Sequence, residues 1–182
     1  MQKQNISQKN EYIYSFLLYI SNSVNILIIS LFITLFISKN IKWFYIILFL
    51  FIIGTIVVIF KVITIPFSFP FLKRPGDCSE DNILINIFTN NFITQEMKKS
   101  VSLEEYAKRG FPSFHLTFAT SIFTLIYYYF PKYRKFIFCI APIYLILVAY
   151  SRIYLDCHSL LQVIAGFFTG IILPSLLFKI FN

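Results

Sequence analysis

The chain has two histidines, His115 and His158, and each lies in a short polar cluster at the edge of an apolar run. His115 closes Pro112-Ser113-Phe114-His115, and His158 closes Ser151-Arg152-Ile153-Tyr154-Leu155-Asp156-Cys157-His158, with Gln162 one helical turn further on. A third cluster, Lys73-Arg74-Pro75, follows Lys61. Together these residues supply what hydrolysis of a phosphate ester or anhydride requires. Arginine forks match phosphate oxygens. A helix opening at Pro112 offers its amides and dipole to an anion. Of two imidazoles, one can attack phosphorus while the other protonates the leaving oxygen. Taken singly, an arginine at the end of a membrane span is a headgroup anchor and a histidine there is a packing residue. Three such clusters on one face argue for a site.

The elements that must position these residues are apolar helices. Of 182 residues 58% are hydrophobic and 13% charged, too apolar for an ordinary soluble domain. Crossing about 30 Å of hydrocarbon takes roughly 20 helical residues, and five runs approach that length. They extend from Tyr12 to Ser38, from Trp43 to Phe60 or beyond, from Pro112 to Phe130, from Phe136 to Ser151 and from Ser159 to Ile180. The fourth is short, which is tolerable where its end faces a polar cavity. The predicted fold class is therefore all-α, a polytopic transmembrane bundle of about five spans, with one membrane-embedded domain over residues 1–182 and the site motifs within 55–170. The polar stretch from Lys73 to Phe111 reads as one loop, with a short surface helix opened by the capping box Ser102-Leu103-Glu104-Glu105.

Five spans place the N-terminus, the long loop and the Arg152 segment on one side. The other side carries Lys39, Lys42, Lys132, Arg134, Lys135 and Lys179 with no acidic residue, and the positive-inside rule makes it cytoplasmic. The remaining ten basic residues outnumber these six, but several belong to the candidate site, so the dense Pro131-Lys132-Tyr133-Arg134-Lys135 loop decides. The active face is then lumenal or extracellular, where Asn5-Ile6-Ser7 would be a glycosylation sequon. The net charge of +8 does not point to nucleic acid, because the basic residues flank apolar blocks. Cys78, Cys139 and Cys157 show no metal-ligand spacing. A bridge between Cys78 and Cys157, which both flank the site, is one option.

At these clusters the chain resembles the type 2 phosphatidic acid phosphatase (PAP2) superfamily, whose signature is a lysine, Arg-Pro, then Pro-Ser-Gly-His, then Ser-Arg, five residues and His. Ser151-Arg152 to His158 fits without adjustment. The resemblance implies a helical-bundle phosphatase acting through a phosphohistidine, with neither metal nor cofactor. Carried over by position, His158 is the nucleophile and His115 the general acid. Arg74, Ser113, Arg152 and the Phe114 amide bind phosphate, helped by Lys61 or Lys73.

Three departures stand out. The family lysine stands about two helical turns before Arg-Pro, whereas Lys61 precedes Arg74 by thirteen positions. Pro66 and Pro70 break the helix between them, so the chain can fold back and return Lys61 to the site. Phe114 replaces a glycine or small residue and crowds the pocket. Gln162 replaces the aspartate that orients the nucleophilic histidine; a neutral amide can hold the tautomer but cannot stabilise imidazolium as a carboxylate does. Asp156 does not obviously face the same ring, and Gln162→Asp is expected to leave folding intact.

Within the superfamily, Ser151 to Gly166 looks most like the dolichyl diphosphate phosphatases, where Ser-Arg-x-Tyr, His and Gln-Val recur with glutamine at this position. That resemblance implies hydrolysis of dolichyl diphosphate on the lumenal face of the endoplasmic reticulum, recycling the carrier lipid for protein N-glycosylation. The expected partners are this lipid and the bilayer, not nucleic acid. The alternatives are a sphingoid-base-phosphate or other lipid-phosphate phosphatase, in which aspartate is expected at position 162, and a catalytically impaired lipid-binding relative.

Overall fold

The computed structural model describes residues 8–67, 69–76 and 108–181, with side chains from residue 11 onward. The capping box at Ser102, the sequon at Asn5 and Cys78 lie outside the described residues. Five α-helices occur among those described: α1 (Gln8–Ser38), α2 (Ile41–Ile63), α3 (Phe114–Tyr129), α4 (Arg134–Tyr154) and α5 (Leu160–Phe181). A 3-10 turn at Pro70–Leu72 follows α2 and another at Pro131–Tyr133 precedes α4. The only strand-like pairing described is an isolated antiparallel bridge between Lys73 and Arg109.

Local sequence explains the breaks. Lys39 adopts φ 48° between α1 and α2, and the Asn40 side chain caps α2 by accepting from the Lys42 amide at 3.0 Å. Lacking the amide that a continuing helix needs, Pro66 and Pro70 follow the end of α2 at Ile63. Helix α3 opens after Pro112, whose preceding peptide bond is cis, and stops before Pro131.

Among the described residues, four helices are long and apolar enough to cross a membrane: Glu11–Ser38 within α1, all of α2, the run Pro131–Tyr154 that includes α4, and α5. Many large apolar side chains on these helices are exposed, among them Phe36, Phe138 and Ile180, as a bilayer-facing surface requires. The protein is a multi-pass membrane protein. Of the about five spans expected, these four reach that length and the third, α3, is shorter. Helix α3 has 16 residues, about 24 Å at 1.5 Å per residue, and runs from the Gln162 end of the bundle to the end where Phe130 meets Trp43 and Lys42. From His115 to Ile122 it is buried without interruption, so it is the shaft around which the others pack. The fourth segment, read as the short one, is 21 residues long; its ends are Arg134 and Tyr154, side chains that reach an interface while the backbone stays helical.

The core gathers Ile46, Phe49 and Leu50 of α2, Leu116, Ala119, Ile122 and Leu125 of α3, and Ile137, Ala141 and Val148 of α4. The tightest approach is between α3 and α5. On α5, Gln162, Gly166, Gly170 and Pro174 are buried at four-residue intervals and form one stripe. A Cβ on Gly166 would lie 2.7 Å from the Ser113 carbonyl oxygen, and one on Gly170 2.6 Å from that of Thr117. Two glycines one turn apart let the two backbones touch, as in small-residue packing between membrane helices. Gly166→Ala is therefore expected to push the start of α3 off α5. The outcome should be a loss of about 1–3 kcal/mol in stability and a drop of about tenfold to a hundredfold in activity from misplaced groups, measured by thermal unfolding and turnover in detergent.

Candidate active site

The three polar clusters meet at one end of the bundle, and Gln162 joins them. It is fully buried in the first turn of α5. Its Oε1 lies 3.2 Å from His158 Nδ1 and accepts from the Ser159 amide at 3.1 Å. Its Nε2 donates to the carbonyls of Phe71 at 2.8 Å and Lys73 at 2.6 Å. The backbone partners fix the orientation of the amide: an N–H must meet the oxygen, and two carbonyls must meet the nitrogen. The imidazole then carries its proton on Nδ1, and Nε2 is the nitrogen with a lone pair. The Gln162 main-chain carbonyl also accepts from the Ser113 amide at 3.0 Å. One residue thus ties His158, the Lys73-Arg74-Pro75 segment and the start of α3 together.

The structure explains why no carboxylate fills this position. A carboxylate could accept from His158 but could not donate to Phe71 and Lys73. The earlier expectation for Gln162→Asp is corrected accordingly: the shorter aspartate carries neither donor, and two buried carbonyls would lose their partner. Gly110 makes room for the amide, since a Cβ there would come within 2.4 Å of Oε1.

Arg152, in the last turn of α4, and His158 are both buried. The Arg152 carbonyl accepts from the Cys157 and His158 amides, each at 3.1 Å, so the turn after α4 folds around it. Asp156 within that turn has φ 53° and is exposed; the imidazole partner is Gln162, not Asp156. Gly76 packs closely on Asp156, where a Cβ would lie 2.8 Å from the Asp156 Cβ. This brings the segment carrying Arg74 beside the segment carrying Arg152. Arg74 is half-buried, with its amide donating to the Lys108 carbonyl at 2.8 Å.

Ser113 and His115 flank the start of α3, and both are buried. Ser113 occupies the N-cap position without using its side chain as a cap, and its hydroxyl makes no hydrogen bond among the described residues. The Phe114 ring turns sideways onto Phe118, with centroids 4.4 Å apart. Above it sits Lys61, buried in the last turn of α2 with Nζ 5.9 Å from the ring centroid, a cation–π distance. Lys73 is exposed and meets the other clusters through its backbone.

Arg109 was not singled out in the sequence. It is buried, with Nη1 donating to the Phe67 carbonyl at 2.8 Å and Nη2 to that of Ile65. It therefore clamps the turn that leaves α2 and, through the bridge to Lys73, the strand-like segment ahead of Arg74. Nothing local in Lys108-Arg109-Gly110 signals this. Arg109→Ala is expected to cost about 2–4 kcal/mol, because two carbonyls lose a charged donor. Arg109→Lys should recover only part, since an ammonium cannot span both carbonyls as a fork; thermal unfolding of the two variants checks this.

Cys157 is disulfide-bonded and Cys139 is a free, exposed thiol.

The fold and this end of the bundle define a multi-pass helical membrane protein with a polar cluster in which Lys61, Arg152, His158 and Gln162 are buried, and with His115 buried at the start of the adjoining α3. Residues 84–182 match the family model of the PAP2 superfamily, more than half of the chain, and the chain belongs to that superfamily. Members are phosphatase hydrolases, and membership points to lipid phosphate phosphatase activity. The match takes in Ser113, His115, Arg152 and His158 and begins beyond Arg74, so α1, α2 and both candidate lysines lie outside it. No curated protein and no solved structure gave a match.

Proposed function

We propose that the protein is a lipid diphosphate phosphatase that hydrolyses dolichyl diphosphate to dolichyl phosphate and phosphate through a phosphohistidine. The observation that carries this reading is the Gln162 amide, which holds His158 by Nδ1 and binds the backbone of the Arg74 segment with its other end. Arg74, Arg152, Lys61, Ser113 and the amides at the start of α3, that of Phe114 included, hold the terminal phosphate. Lys61 is the phosphate lysine of this scheme because it is buried over the α3 start, whereas Lys73 is exposed.

His158 Nε2 attacks the terminal phosphorus. The N–P bond forms, the P–O bond to the bridging oxygen breaks, and His115 gives its proton to the departing dolichyl phosphate. A water then attacks the phosphohistidine, His115 takes its proton, the N–P bond breaks and phosphate leaves. A neutral amide behind His158 supplies less electrostatic help than a carboxylate. That deficit is tolerable when the leaving group is a phosphate monoester, a far better one than an alkoxide, and this favours a diphosphate over a monoester substrate.

The polyprenyl chain would remain in the bilayer against the exposed apolar faces while the diphosphate enters at the water interface. Two features support an active face in the lumen of the endoplasmic reticulum. The opposite end carries Lys42, Lys132, Arg134 and Lys179, with Lys42 over the Phe130 ring and Arg134 on Tyr127, the pattern of a cytoplasmic edge. A disulfide-bonded Cys157 beside His158 suits an oxidising compartment. The protein would then recycle the carrier lipid of N-glycosylation.

Phosphate release by purified protein tests the reading, with dolichyl diphosphate, a sphingoid-base phosphate and phosphatidate offered side by side. Preferential release from the diphosphate is the expected result. Preference for a monoester would replace this reading with that of a general lipid-phosphate phosphatase. Silence on all three from folded protein would leave a lipid-binding relative.

A further inference from the structure

Helix α1 packs chiefly on α4, and its buried stripe follows the alternating spacing of a helix–helix seam: Leu17, Ser21, Val24 and Leu31. Ser21 is the polar member of this stripe. It is 1% exposed, in an apolar helix where an alanine would fill the same space without a hydroxyl to satisfy. Its hydroxyl oxygen accepts a hydrogen bond from Arg152 Nη1 at 2.5 Å, across 131 positions of sequence.

The chemistry of arginine gives this contact a consequence. A guanidinium has five donors in a rigid plane, and a phosphate grip uses two of them side by side. The stem that carries the plane is long and has many rotamers. A charge-assisted bond from one Nη to a buried hydroxyl selects one orientation of that plane. The main chain of Arg152 is already held, because its carbonyl accepts from the amides of Cys157 and His158. Ser21 adds the constraint that the main chain cannot supply.

We infer that Ser21 is a positioning residue for phosphate binding, orienting the Arg152 guanidinium before substrate arrives. The inference rests on the reading above that Arg152 binds the substrate phosphate. It gives α1, which lies outside the residues that match the superfamily, a part in building the site.

The test compares wild type, Ser21→Ala, Ser21→Thr and Arg152→Ala in detergent, reading KM, kcat and inhibition by orthovanadate as a phosphate analogue. Ser21→Ala should raise KM and the vanadate inhibition constant by about tenfold, the low end for a hydrogen bond to a charged group, with a smaller change in kcat. Ser21→Thr keeps the hydroxyl and should restore both. Unchanged KM and vanadate inhibition in Ser21→Ala, with Arg152→Ala strongly impaired, would overturn the role of Ser21 alone. Vanadate binding that is indifferent to Arg152→Ala would overturn the phosphate-site reading beneath it. Direct vanadate binding to the folded variants, measured by a shift in thermal unfolding, gives the same decision should turnover be too slow to follow.

Discussion

His158→Ala is expected to lower phosphate release by about 10⁶-fold, to the assay floor, the scale on which removing a nucleophile acts when no other group can take its place. The imidazole is buried, its Nδ1 is engaged by Gln162, and Nε2 is thereby the nucleophilic atom. His115, at the start of α3, occupies a different element and in the proposed mechanism handles the proton of the leaving oxygen. Its replacement by alanine should therefore be less damaging with the best leaving groups. Quenching wild type with a ³²P-labelled diphosphate should trap a phosphoenzyme that survives base and is lost in acid, as a phosphohistidine is, and His158→Ala should show none. Undiminished hydrolysis by His158→Ala would sink the mechanism.

The second large effect belongs to Gln162, where two replacements separate two jobs. Gln162→Ala removes the acceptor for His158 Nδ1 and Ser159 and the donor for Phe71 and Lys73. Loss of the correct histidine tautomer alone cost a serine-protease triad about 10⁴ in rate, so kcat is expected to fall by about 10³- to 10⁴-fold. The buried carbonyls left behind should lower stability by about 2–4 kcal/mol. Gln162→Glu keeps an acceptor for the imidazole and loses both donors, setting a carboxylate oxygen against two carbonyl oxygens. That variant should hold the tautomer but release the segment on which Arg74 rides. Its signature is a raised KM with a smaller fall in kcat than in Gln162→Ala. A Gln162→Glu enzyme with kcat/KM at or above wild type would show that the two donor bonds carry no functional weight.

Much of the architecture was legible in the sequence because apolar length is a local property. Four long helices fall within a few residues of the runs in which they were expected. The breaks after α2 and on either side of α3 lie at Pro66, Pro70, Pro112 and Pro131, residues that act on their own backbone. At α3 hydropathy alone says less. Hydropathy reads Pro112 to Phe130 as a span, but the same apolar composition also suits a helix buried on all sides by other helices, and only packing distinguishes the two. The two glycines of Gly166-Phe167-Phe168-Thr169-Gly170 were visible as letters, yet which helix they admit was not.

The sequence by itself determined that this is a membrane-embedded helical protein with two histidines and two arginines at the edges of its apolar runs, because residue type and spacing are sufficient for both statements; the PAP2 type came from the resemblance of its motifs. Only the tertiary structure decided that Gln162 is the hub, since its donor bonds reach carbonyls 89 and 91 positions away. Tertiary packing also decided that Lys61 is the buried lysine, that Arg109 clamps the turn after α2, and that Ser21 of the first helix holds Arg152. Each of these depends on the hydrogen-bonding demands of several groups brought together from distant parts of the chain, and a buried polar atom's partner is a property of the packed whole.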